Sequence, residues 1–383
     1  MQVEGVHRPA WGEVSASAIA HNVRAIKAVV GDSLVCAVVK ANAYGHGAEL
    51  AAKAALVGGA GFLGVAIVDE GIELREMGVT VPILLLAEVP PDALHDALAN
   101  DLTLTIGSLD GAKAAATSAA QSGGVHKVHV KVDTGMRRMG VAPGDVHDVI
   151  DVLTASPFIE VEGVYTHFSV ADGSSADARA FTRSQIESFG EVVVALALGG
   201  VTPKLLHAAN SAGALGYPEA RLSMVRIGLS LYGYLPEPWL ALALEEKGQH
   251  LEPALTLRAK VSAVRRAQAG ERPSYGRHRA LEAAATIATV PFGYADGYPR
   301  RLFASGAHVL INSKRYPLAG MVTMDQLVVD CGDDPVRVGD DVVLLGRQGD
   351  EAITADEWAA HAGTISWEIL CGVSARVPRT LVS

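Results

Sequence analysis

The stretch Leu34-Val-Cys-Ala-Val-Val-Lys40 is a short, β-branched apolar run that ends in a lysine, and it is the first of eight such runs before Pro253. Ala-rich segments with helical period separate the runs, which indicates alternating β-strands and α-helices. Eight strand–helix units over about 240 residues match the size of a (β/α)8 barrel. The predicted strands are Leu34–Val39, Phe62–Ile67, Val81–Leu86, Leu102–Ile106, Val128–Val132, Glu160–Thr166, Pro203–Leu206 and Met224–Leu229.

The pattern changes after Pro253, where short strands are separated by Gly, Asn and Asp turns. Runs of strands that follow a strand–helix array usually form a separate domain. We therefore predict an α/β chain with an N-terminal (β/α)8 TIM barrel over residues 12–252 and a mostly β C-terminal domain over residues 253–383, which residues 1–11 are expected to join. The predicted elements of the second domain are the strands Leu255–Val264, Ala284–Val290, His308–Ile311, Arg315–Ala319, Gln326–Asp330 and Asp341–Leu345, the helix Ala355–Ala362 and a last segment, Thr364–Cys371.

The composition narrows the class of protein. The 383 residues are 49% hydrophobic and carry a net charge of -10, which argues against a disordered chain and against a nucleic-acid binder. Three widely spaced cysteines support neither a disulfide framework nor a zinc ribbon. The longest apolar stretches, such as Val192–Val201, fall short of the roughly 20 residues that span a bilayer. A cytoplasmic protein with a small-molecule partner is the expectation.

The polar residues that close the barrel strands are the site candidates, because active sites in such barrels lie at the C-terminal ends of the strands. Lys40 follows the first run, and an amine at the end of an apolar strand is poorly hydrated, which favours its neutral, nucleophilic form. The alternative is a strand-end lysine that extends into solvent. The other candidates at this mouth are Lys131, Arg138, His167, His207 and Arg226.

A phosphate cradle is expected after the seventh and eighth strands, as is usual in this fold. Asn210, Ser211 and Gly213 follow one strand and Gly228 follows the other, and hydroxyl and backbone N–H groups at a helix start bind phosphate without a lysine. A nucleophilic lysine opposite such a cradle suggests pyridoxal 5'-phosphate. The alternative is that Ser211 only caps the next helix.

Two further patterns carry no chemistry. Gly59-Ala-Gly-Phe-Leu-Gly64 has the spacing GxGxxG, but it follows a helix and leads into a strand, the reverse of a dinucleotide-binding context. His126 and His129 fall on opposite faces of one strand. No metal site is therefore predicted.

Taken together, the strand-end segments resemble those of alanine racemase, and the resemblance runs across nearly the whole chain. One such motif would be weak, but nine occur in the family's order. They are Val-Val-Lys40-Ala-Asn-Ala-Tyr44-Gly-His-Gly, Lys131-Val-Asp-Thr-Gly-Met-Arg-Arg138-Met-Gly, Tyr165-Thr-His167-Phe, His207-Ala-Ala-Asn210-Ser211, Met224-Val-Arg226-Ile-Gly228, Ser274-Tyr275-Gly276, Gly293-Tyr294-Ala-Asp-Gly, Met324-Asp325-Gln and Arg376-Val-Pro-Arg379.

The resemblance implies a homodimer in which the barrel of one chain faces the β domain of the other. It implies that Lys40 holds the cofactor covalently and is the base on the D-alanine side. Tyr275, delivered from the other chain, resembles the base on the L-alanine side, and His167 with nearby cations is expected to tune it. Inverting an α-carbon requires one acid/base group on each face, so the pair is chemically sufficient.

The remaining roles also follow from the resemblance. Arg226 resembles the partner of the pyridine nitrogen and is itself hydrogen-bonded by His207; the alternative is a structural ion pair. Arg138 resembles the residue that contacts the substrate carboxylate, oriented by Lys131, which is often carbamylated in relatives. The substrate contacts implied from the other chain are Met324 and Asp325, and the cofactor contacts are Tyr44, Asn210, Ser211, Gly228 and Leu229.

The substrate corridor of the family corresponds to Asp172, Tyr294 and Arg300, and this chain departs from the family pattern near it. Relatives often have a tyrosine, an arginine and a cysteine where this sequence has, respectively, Ala375, Met321 and Thr323. The first departure removes an implied phosphate contact. The other two are expected to make the corridor less charged, which would alter its selectivity or the entry of inhibitors.

The expected activity is interconversion of L- and D-alanine with pyridoxal 5'-phosphate, which supplies D-alanine for peptidoglycan. A racemase of serine or of broader specificity is the nearest alternative. A barrel-type decarboxylase is expected to place a carboxylate, not Arg226, against the pyridine nitrogen. A cofactor-homeostasis protein is expected to be a single barrel that lacks Tyr275.

Overall fold

The structure is a computed structural model and describes residues 7–382. Eight parallel strands form one sheet in the order β8-β7-β6-β5-β4-β3-β2-β9. These strands are β2 Leu34–Val38, β3 Phe62–Val65, β4 Ile83–Glu88, β5 Leu102–Ile106, β6 His126–Lys131, β7 Ile159–Tyr165, β8 Leu205–His207 and β9 Met224–Ile227. The predicted eight-stranded TIM barrel followed by a mostly β domain is confirmed.

The sheet closes between its first and last strands through individual backbone bonds. The amide of Ser223 donates to Leu206 O at 3.1 Å, and the amide of Arg226 donates to Ala209 O at 2.9 Å. Inside the barrel, Cys36, Phe62, Leu84 and Met224 form a buried hydrophobic cluster. The barrel interior is therefore a packed hydrophobic core. Its polar side chains lie mainly at the strand ends, with a few in the interior.

Helices alternate with these strands because the apolar residues between them recur with helical period. The helices are α1 Ala16–Val30, α2 Ala48–Gly58, α3 Val68–Glu76, α4 Leu94–Ala99, α5 Leu109–Ser122, α6 Val146–Thr154, α7 Ala176–Leu198, α8 Ser211–Gly216, α9 Leu242–Glu245, α10 Ala355–Ala362 and α11 Ser366–Cys371. Short 3-10 turns occur at Pro91–Ala93, Pro143–Asp145, Pro218–Ala220, Leu229–Tyr232, Pro238–Ala241, Tyr275–Arg277, Tyr294–Asp296 and Arg300–Phe303. Within the described chain, no helix has the length and hydrophobicity that a membrane span requires.

The remaining strands form two antiparallel-rich sheets. One has the order β14-β13-β16-β10-β1-β18 with β17 beside β16, and the other has the order β11-β12-β15. The strands are β1 Ala10–Ser15, β10 Leu255–Lys260, β11 Ala263–Ala267, β12 Ala285–Val290, β13 His308–Ile311, β14 Lys314–Pro317, β15 Leu327–Asp330, β16 Asp341–Gln348, β17 Glu351–Ile353 and β18 Arg379–Val382.

The predicted single strand Leu255–Val264 is wrong, because β10 and β11 belong to different sheets. The backbone changes partners at the break: Val261 N donates to Asp340 O, and Ser262 N donates to Thr289 O. The pattern also missed β1, β17 and β18, which have six, three and four residues.

The chain folds into two compact units. The barrel unit contains Ala18–Ala43 and Ala51–Glu252, and the sheet unit contains residues 7–17, 44–50 and 253–382 of the described chain. Strand β1 lies in the sheet unit between β10 and β18 and crosses residue 12, where the sequence placed a boundary. Residues 1–6 of the predicted N-terminal segment, and residue 383, lie outside the described residues.

Candidate active site

Lys40 closes the first barrel strand and is followed by a left-handed turn. The φ angles of Ala41, Asn42, Ala43 and Tyr44 are 53°, 51°, 53° and 53°, a conformation that costs an L-residue about 1–2 kcal/mol. Lys40 is half-buried. Strained backbone persists only where the surroundings over-determine it, and it is concentrated at functional sites.

Glu70 holds this turn against the next strand. Its carboxylate accepts from Ala41 N at 2.6 Å, from Ala66 N at 2.7 Å and from Ile67 N at 3.3 Å. Sequence reasoning missed this residue. Its place in the first turn of α3, directly after β3, is the signal that could have indicated a carboxylate bound to backbone N–H groups.

Arg226 is buried in the barrel unit, with 3% of its surface exposed. Its Nη1 donates to His207 Nδ1 at 2.8 Å. Its Nη2 donates to Thr166 O at 2.8 Å, to Ala208 O at 2.9 Å and to His167 Nδ1 at 3.1 Å. No carboxylate of the described residues pairs with it, so the ion-pair alternative is wrong.

Both histidines beside Arg226 are neutral. Burial first, and then the charge of Arg226, hold the pKa of His167 and of His207 well below the ordinary value of 6.5. His207 also stacks on Tyr165, with ring centroids 4.5 Å apart. Because Arg226 can only donate, the nitrogen of each histidine that faces it must be unprotonated.

Lys131 ends β6 and is buried near Arg226. Burial first, and then the charges of Arg226 and Arg138, lower the pKa of Lys131 from 10.5 to about 8. Its Nζ lies 5.7 Å from the centroid of the Tyr165 ring. Arg138 itself is exposed, so its guanidinium is available to a ligand at the strand ends.

The residues predicted to form a phosphate cradle lie in the turns after β8 and β9. Asn210 caps α8, since its Oδ1 accepts from Gly213 N at 2.9 Å. Ser211 instead accepts from Gly228 N at 3.1 Å through its Oγ, and Leu229 begins the following 3-10 turn. The alternative that Ser211 caps the helix is therefore wrong: its buried hydroxyl joins the two turns.

These groups fit pyridoxal 5'-phosphate. Lys40 supplies an amine, and the Nε–H of Arg226 makes no hydrogen bond to another described residue and is available to a ring nitrogen. The cradle of Ser211, Gly228 and Leu229 carries no acidic side chain that would repel a phosphate. Tyr44 belongs to the sheet unit, where it is buried and its pKa is raised by burial.

Three loops of the sheet unit carry the candidates expected from the other chain. Ser274 Oγ donates to Met321 O at 2.5 Å, Tyr294 N donates to Thr323 O at 3.0 Å, and Ala295 N donates to Met324 O at 3.0 Å. These bonds join the loops that carry Tyr275, Tyr294 and Met324. The three side chains are 73%, 42% and 53% exposed.

The backbone that presents Tyr275 is strained. Ser274 has φ 68° and ψ -176°, a region that is essentially restricted to glycine. Gly276 follows at φ 72°. The strain at Ser274, directly before an exposed phenol, is typical of a functional loop, and glycine at position 276 adopts its positive φ without strain.

The remaining site candidates are Asp325, Asp172 and Arg300. Asp325 is paired with Arg376 at 2.7 Å, and Arg376 follows Ala375. Asp172 lies in the barrel unit, where its backbone oxygen accepts from Trp239 Nε1 at 2.8 Å, and Arg300 begins a 3-10 turn of the sheet unit. The roles assigned to these residues stay predictions.

One group of potential metal ligands occurs in the described chain: His21, His250 and Glu252. His21 Nε2 lies 3.0 Å from the backbone oxygen of His250 and 3.9 Å from Glu252 Oε1. A carbonyl oxygen can only accept, so this nitrogen carries its proton and its lone pair is not offered to an ion. This group therefore gives no reason to predict a metal site.

The chain is similar to known proteins over nearly its whole length. Residues 14–236 match the family described as alanine racemase, N-terminal domain, and residues 254–381 match alanine racemase, C-terminal domain. A curated alanine racemase of Symbiobacterium thermophilum is 45% identical over 380 residues, which are 99% of this chain and 98% of that protein.

Solved structures agree over the same length. The crystal structure of alanine racemase from Bacillus anthracis with bound L-Ala-P has a TM-score of 0.91 at 39% identity, over 99% of this chain and 96% of that one. Histidine racemase from Leuconostoc mesenteroides has a TM-score of 0.87 at 31% identity, over 98% of this chain and 99% of that one.

Proposed function

The chain belongs to the alanine racemase family, a family of isomerases, and from this premise we propose that it interconverts L- and D-alanine with pyridoxal 5'-phosphate by a two-base mechanism. Lys40 is the base on the D-alanine face and Tyr275 of a partner subunit is the base on the L-alanine face. The observation that carries the proposal is that Lys40 follows the first barrel strand and Arg226 lies on the last, which is its neighbour in the sheet. Arg226 is buried there without a carboxylate partner among the described residues.

The residues of the barrel unit would hold the cofactor at both ends. Ser211, Gly228 and Leu229 would bind its phosphate, and the Nε–H of Arg226 would donate to its ring nitrogen. When bound, the cofactor withdraws electrons from the α-carbon and makes its proton acidic. Because arginine does not give up its proton, Arg226 keeps the ring nitrogen unprotonated. This position also argues against a decarboxylase, for which a carboxylate is expected.

The base on the L-alanine face must be assisted. A free tyrosine has a pKa near 10 and is a poor base at neutral pH. His167 accepts from Arg226 through Nδ1 at 3.1 Å, which leaves its Nε2–H to stabilise the phenolate of Tyr275 after proton loss. The exposure of Tyr275, Tyr294 and Met324 supports delivery of these residues to a partner subunit in a homodimer.

The substrate would be oriented by Arg138, by the backbone of Met324 and by the side chain of Asp325. We propose that Lys131 is carbamylated and orients Arg138, since a lysine with a pKa of about 8 has a much larger uncharged fraction near neutrality than an ordinary lysine, and the uncharged amine reacts with carbon dioxide. Asp172, Tyr294 and Arg300 would line the substrate corridor. Supply of D-alanine to peptidoglycan and a cytoplasmic location remain part of the same proposal.

The cofactor assignment is tested by borohydride reduction of the holoenzyme followed by peptide mapping. The label is expected on the peptide that contains Lys40. A label elsewhere, or none, contradicts the assignment.

The two-base assignment is tested with Tyr275→Phe. Loss of one acid/base group is expected to slow abstraction of the α-proton from L-alanine by about 10²–10⁴-fold, with a smaller effect on D-alanine. The measurement is exchange of the α-proton in deuterated water from each isomer separately. Tyr316→Phe, in β14, is the control. Equal losses for the two isomers, or unchanged racemization, contradict the mechanism.

A second candidate function is racemization of larger amino acids. A histidine racemase has the same fold, and Ala375 and Met321 replace a tyrosine and an arginine that relatives often have. Rates with L-alanine, L-serine, L-lysine and L-histidine separate the two candidates. A poor rate with alanine would favour the second.

A further inference from the structure

A continuous chain of buried side chains leads from Arg226 through the barrel to the surface. Arg226 Nη1 contacts His207 Nδ1 at 2.8 Å, and His207 Nε2 contacts His129 Nδ1 at 2.9 Å. His129 Nε2 contacts Glu162 Oε2 at 3.3 Å, and Glu162 Oε1 accepts from Lys127 Nζ at 2.5 Å. Lys127 is 43% exposed, so the chain ends at solvent.

The two ends fix the direction of every hydrogen bond. Arginine can only donate, so His207 Nδ1 must accept and His207 Nε2 must carry the proton. His129 Nδ1 then accepts, which places its proton on Nε2, and that proton is donated to the carboxylate of Glu162. Neither tautomer can reverse without losing a hydrogen bond at Arg226 or at Glu162.

The charges along the chain agree with this assignment. Burial raises the pKa of Glu162, but hydrogen bonds from His129 and Lys127 outweigh burial and bring it down to about 2. Burial lowers the pKa of His129 and of His207. The chain therefore holds two neutral imidazoles between a guanidinium and a carboxylate.

The neighbouring strand is shaped around His129. Gly163 of β7 faces His129 of β6 in the strand register. A Cβ at position 163 would lie 2.8 Å from His129 Nδ1 and Cε1, closer than such atoms approach without displacement. Only glycine leaves room for the ring in this position, which indicates a built site and not a chance contact.

We infer that His129 and Glu162 are positioning residues for Arg226, because they fix the tautomer of His207 that turns its lone pair toward the guanidinium. With the acceptor of Glu162 removed, His129 can place its proton on Nδ1. His207 must then accept at Nε2 and carry its own proton on Nδ1, where it faces an N–H of Arg226. The guanidinium loses one of its anchors and is free to rotate away from the bound ring nitrogen.

The first test is nitrogen-15 NMR of the apoenzyme with labelled histidine. Both His129 and His207 are expected to be neutral and protonated on Nε2 at neutral pH, assigned with His129→Gln and His207→Gln. Protonation of either ring on Nδ1 overturns the inference. This readout requires neither cofactor nor activity, so it stands apart from the proposed function on which the role of Arg226 rests.

The second test compares Glu162→Met with Glu162→Gln. Methionine removes the acceptor, so the tautomers are expected to become mixed. The expected loss of kcat for alanine is about tenfold or more, by analogy with the loss of hydrogen-bond partners of metal-binding histidines, with KM little changed. Glutamine has one acceptor oxygen, which the Nε2–H of His129 requires, whereas Lys127 is 43% exposed and can turn to solvent. This variant is expected to restore the tautomers and most of kcat.

Glu160→Gln is the matched control, because Glu160 lies on the same strand and pairs with Lys204 at 2.6 Å outside the chain. It is expected to leave tautomers and kcat unchanged. Unchanged tautomers in Glu162→Met overturn the inference, as does a loss of kcat in Glu162→Gln equal to that in Glu162→Met. If Glu162→Met does not fold, the wild-type and Glu162→Gln spectra decide it. If the tautomers are as expected but the enzyme does not racemize alanine, the inference stands and only the proposed function is overturned.

Discussion

The site is built around one residue, a buried arginine with no carboxylate beside it in the described chain. Moving an ion out of water costs several kcal/mol even after the protein relaxes, and burial lowers the pKa of Arg226 below its usual value. Neutral acceptors surround it instead: two backbone oxygens and the imidazoles of His167 and His207. A cation held by neutral dipoles keeps its charge directed at a ligand, since no counter-ion neutralises it.

Lys131 gives a prediction at this scale. Its pKa in the folded state is about 8 against an ordinary value of 10.5, so between these pH values the unfolded chain holds a proton that the folded chain lacks. Stability contributed by this group therefore rises with pH over the window, by about 1.4 kcal/mol per pH unit. In apoenzyme freed of carbon dioxide, the free energy of unfolding of wild type minus that of Lys131→Met is expected to rise above pH 8.

The control for this measurement is Lys127→Met on the same strand. The pKa of Lys127 is raised by its hydrogen bond to Glu162, so its contribution is present below the ordinary pKa of lysine and is lost only above it. The free energy of unfolding of wild type minus that of Lys127→Met is expected to stay constant between pH 7 and about 10. A flat curve for Lys131→Met as well would contradict the burial of a free amine at this position.

Among the elements of the barrel, the left-handed turn after β2 has the most unusual backbone conformation. Alanine has no preference for this conformation, and asparagine has only a modest one. The hydrogen bonds that Glu70 accepts from Ala41 and from the end of β3 hold the turn in place. We expect the turn to fix where the amine of Lys40 emerges from the strand.

Ala41→Gly tests the strain in this turn. Ala41 is exposed, so no buried contact is lost, and glycine adopts φ 53° without the steric penalty of a Cβ. Relief of about 1–2 kcal/mol, less the entropy that glycine costs, is expected to stabilise the protein by about 0.5–1 kcal/mol. The measurement is the free energy of unfolding in denaturant.

The matched control is Ala180→Gly, an exposed position inside α7. There glycine is expected to destabilise the protein by about 1 kcal/mol. Equal signs for the two substitutions would show that the turn is not strained.

Elements differ in how well the sequence predicts them. The barrel strands follow from short apolar runs, and Lys40, Lys131, His167 and His207 follow because they lie where those runs end. Arg226 follows because it is the one charged residue inside the last run. The backbone of the turn does not follow, since nothing in Ala41 or Ala43 favours positive φ. The pairing of His129 with Glu162 does not follow either: it depends on the register of β6 against β7 and on the space left by Gly163.

At the scale of the whole molecule, the two units carry complementary halves of the proposed chemistry. The barrel unit holds Lys40, Arg226 and the phosphate cradle, whereas the sheet unit holds Tyr275 on an exposed, strained loop. Composition and length predicted two parts, whereas the assignment of Tyr275 to the barrel of the other chain comes from the resemblance and from the exposure of its side chain. Shared sites in a homodimer are therefore the central claim to test.

Hybrid dimers give the most direct test. One chain carries Lys40→Ala and the other carries Tyr275→Phe, with different affinity tags, and the hybrid is purified over both tags after co-expression. If each site takes Lys40 from one chain and Tyr275 from the other, the hybrid contains one intact site and one doubly altered site.

The measurement is the rate of alanine racemization per dimer, compared with the wild type and with each altered homodimer. The account predicts about half of the wild-type rate for the hybrid, because one of its two sites is intact, although both homodimers are nearly inactive. A hybrid no more active than those homodimers would contradict sites built from two chains.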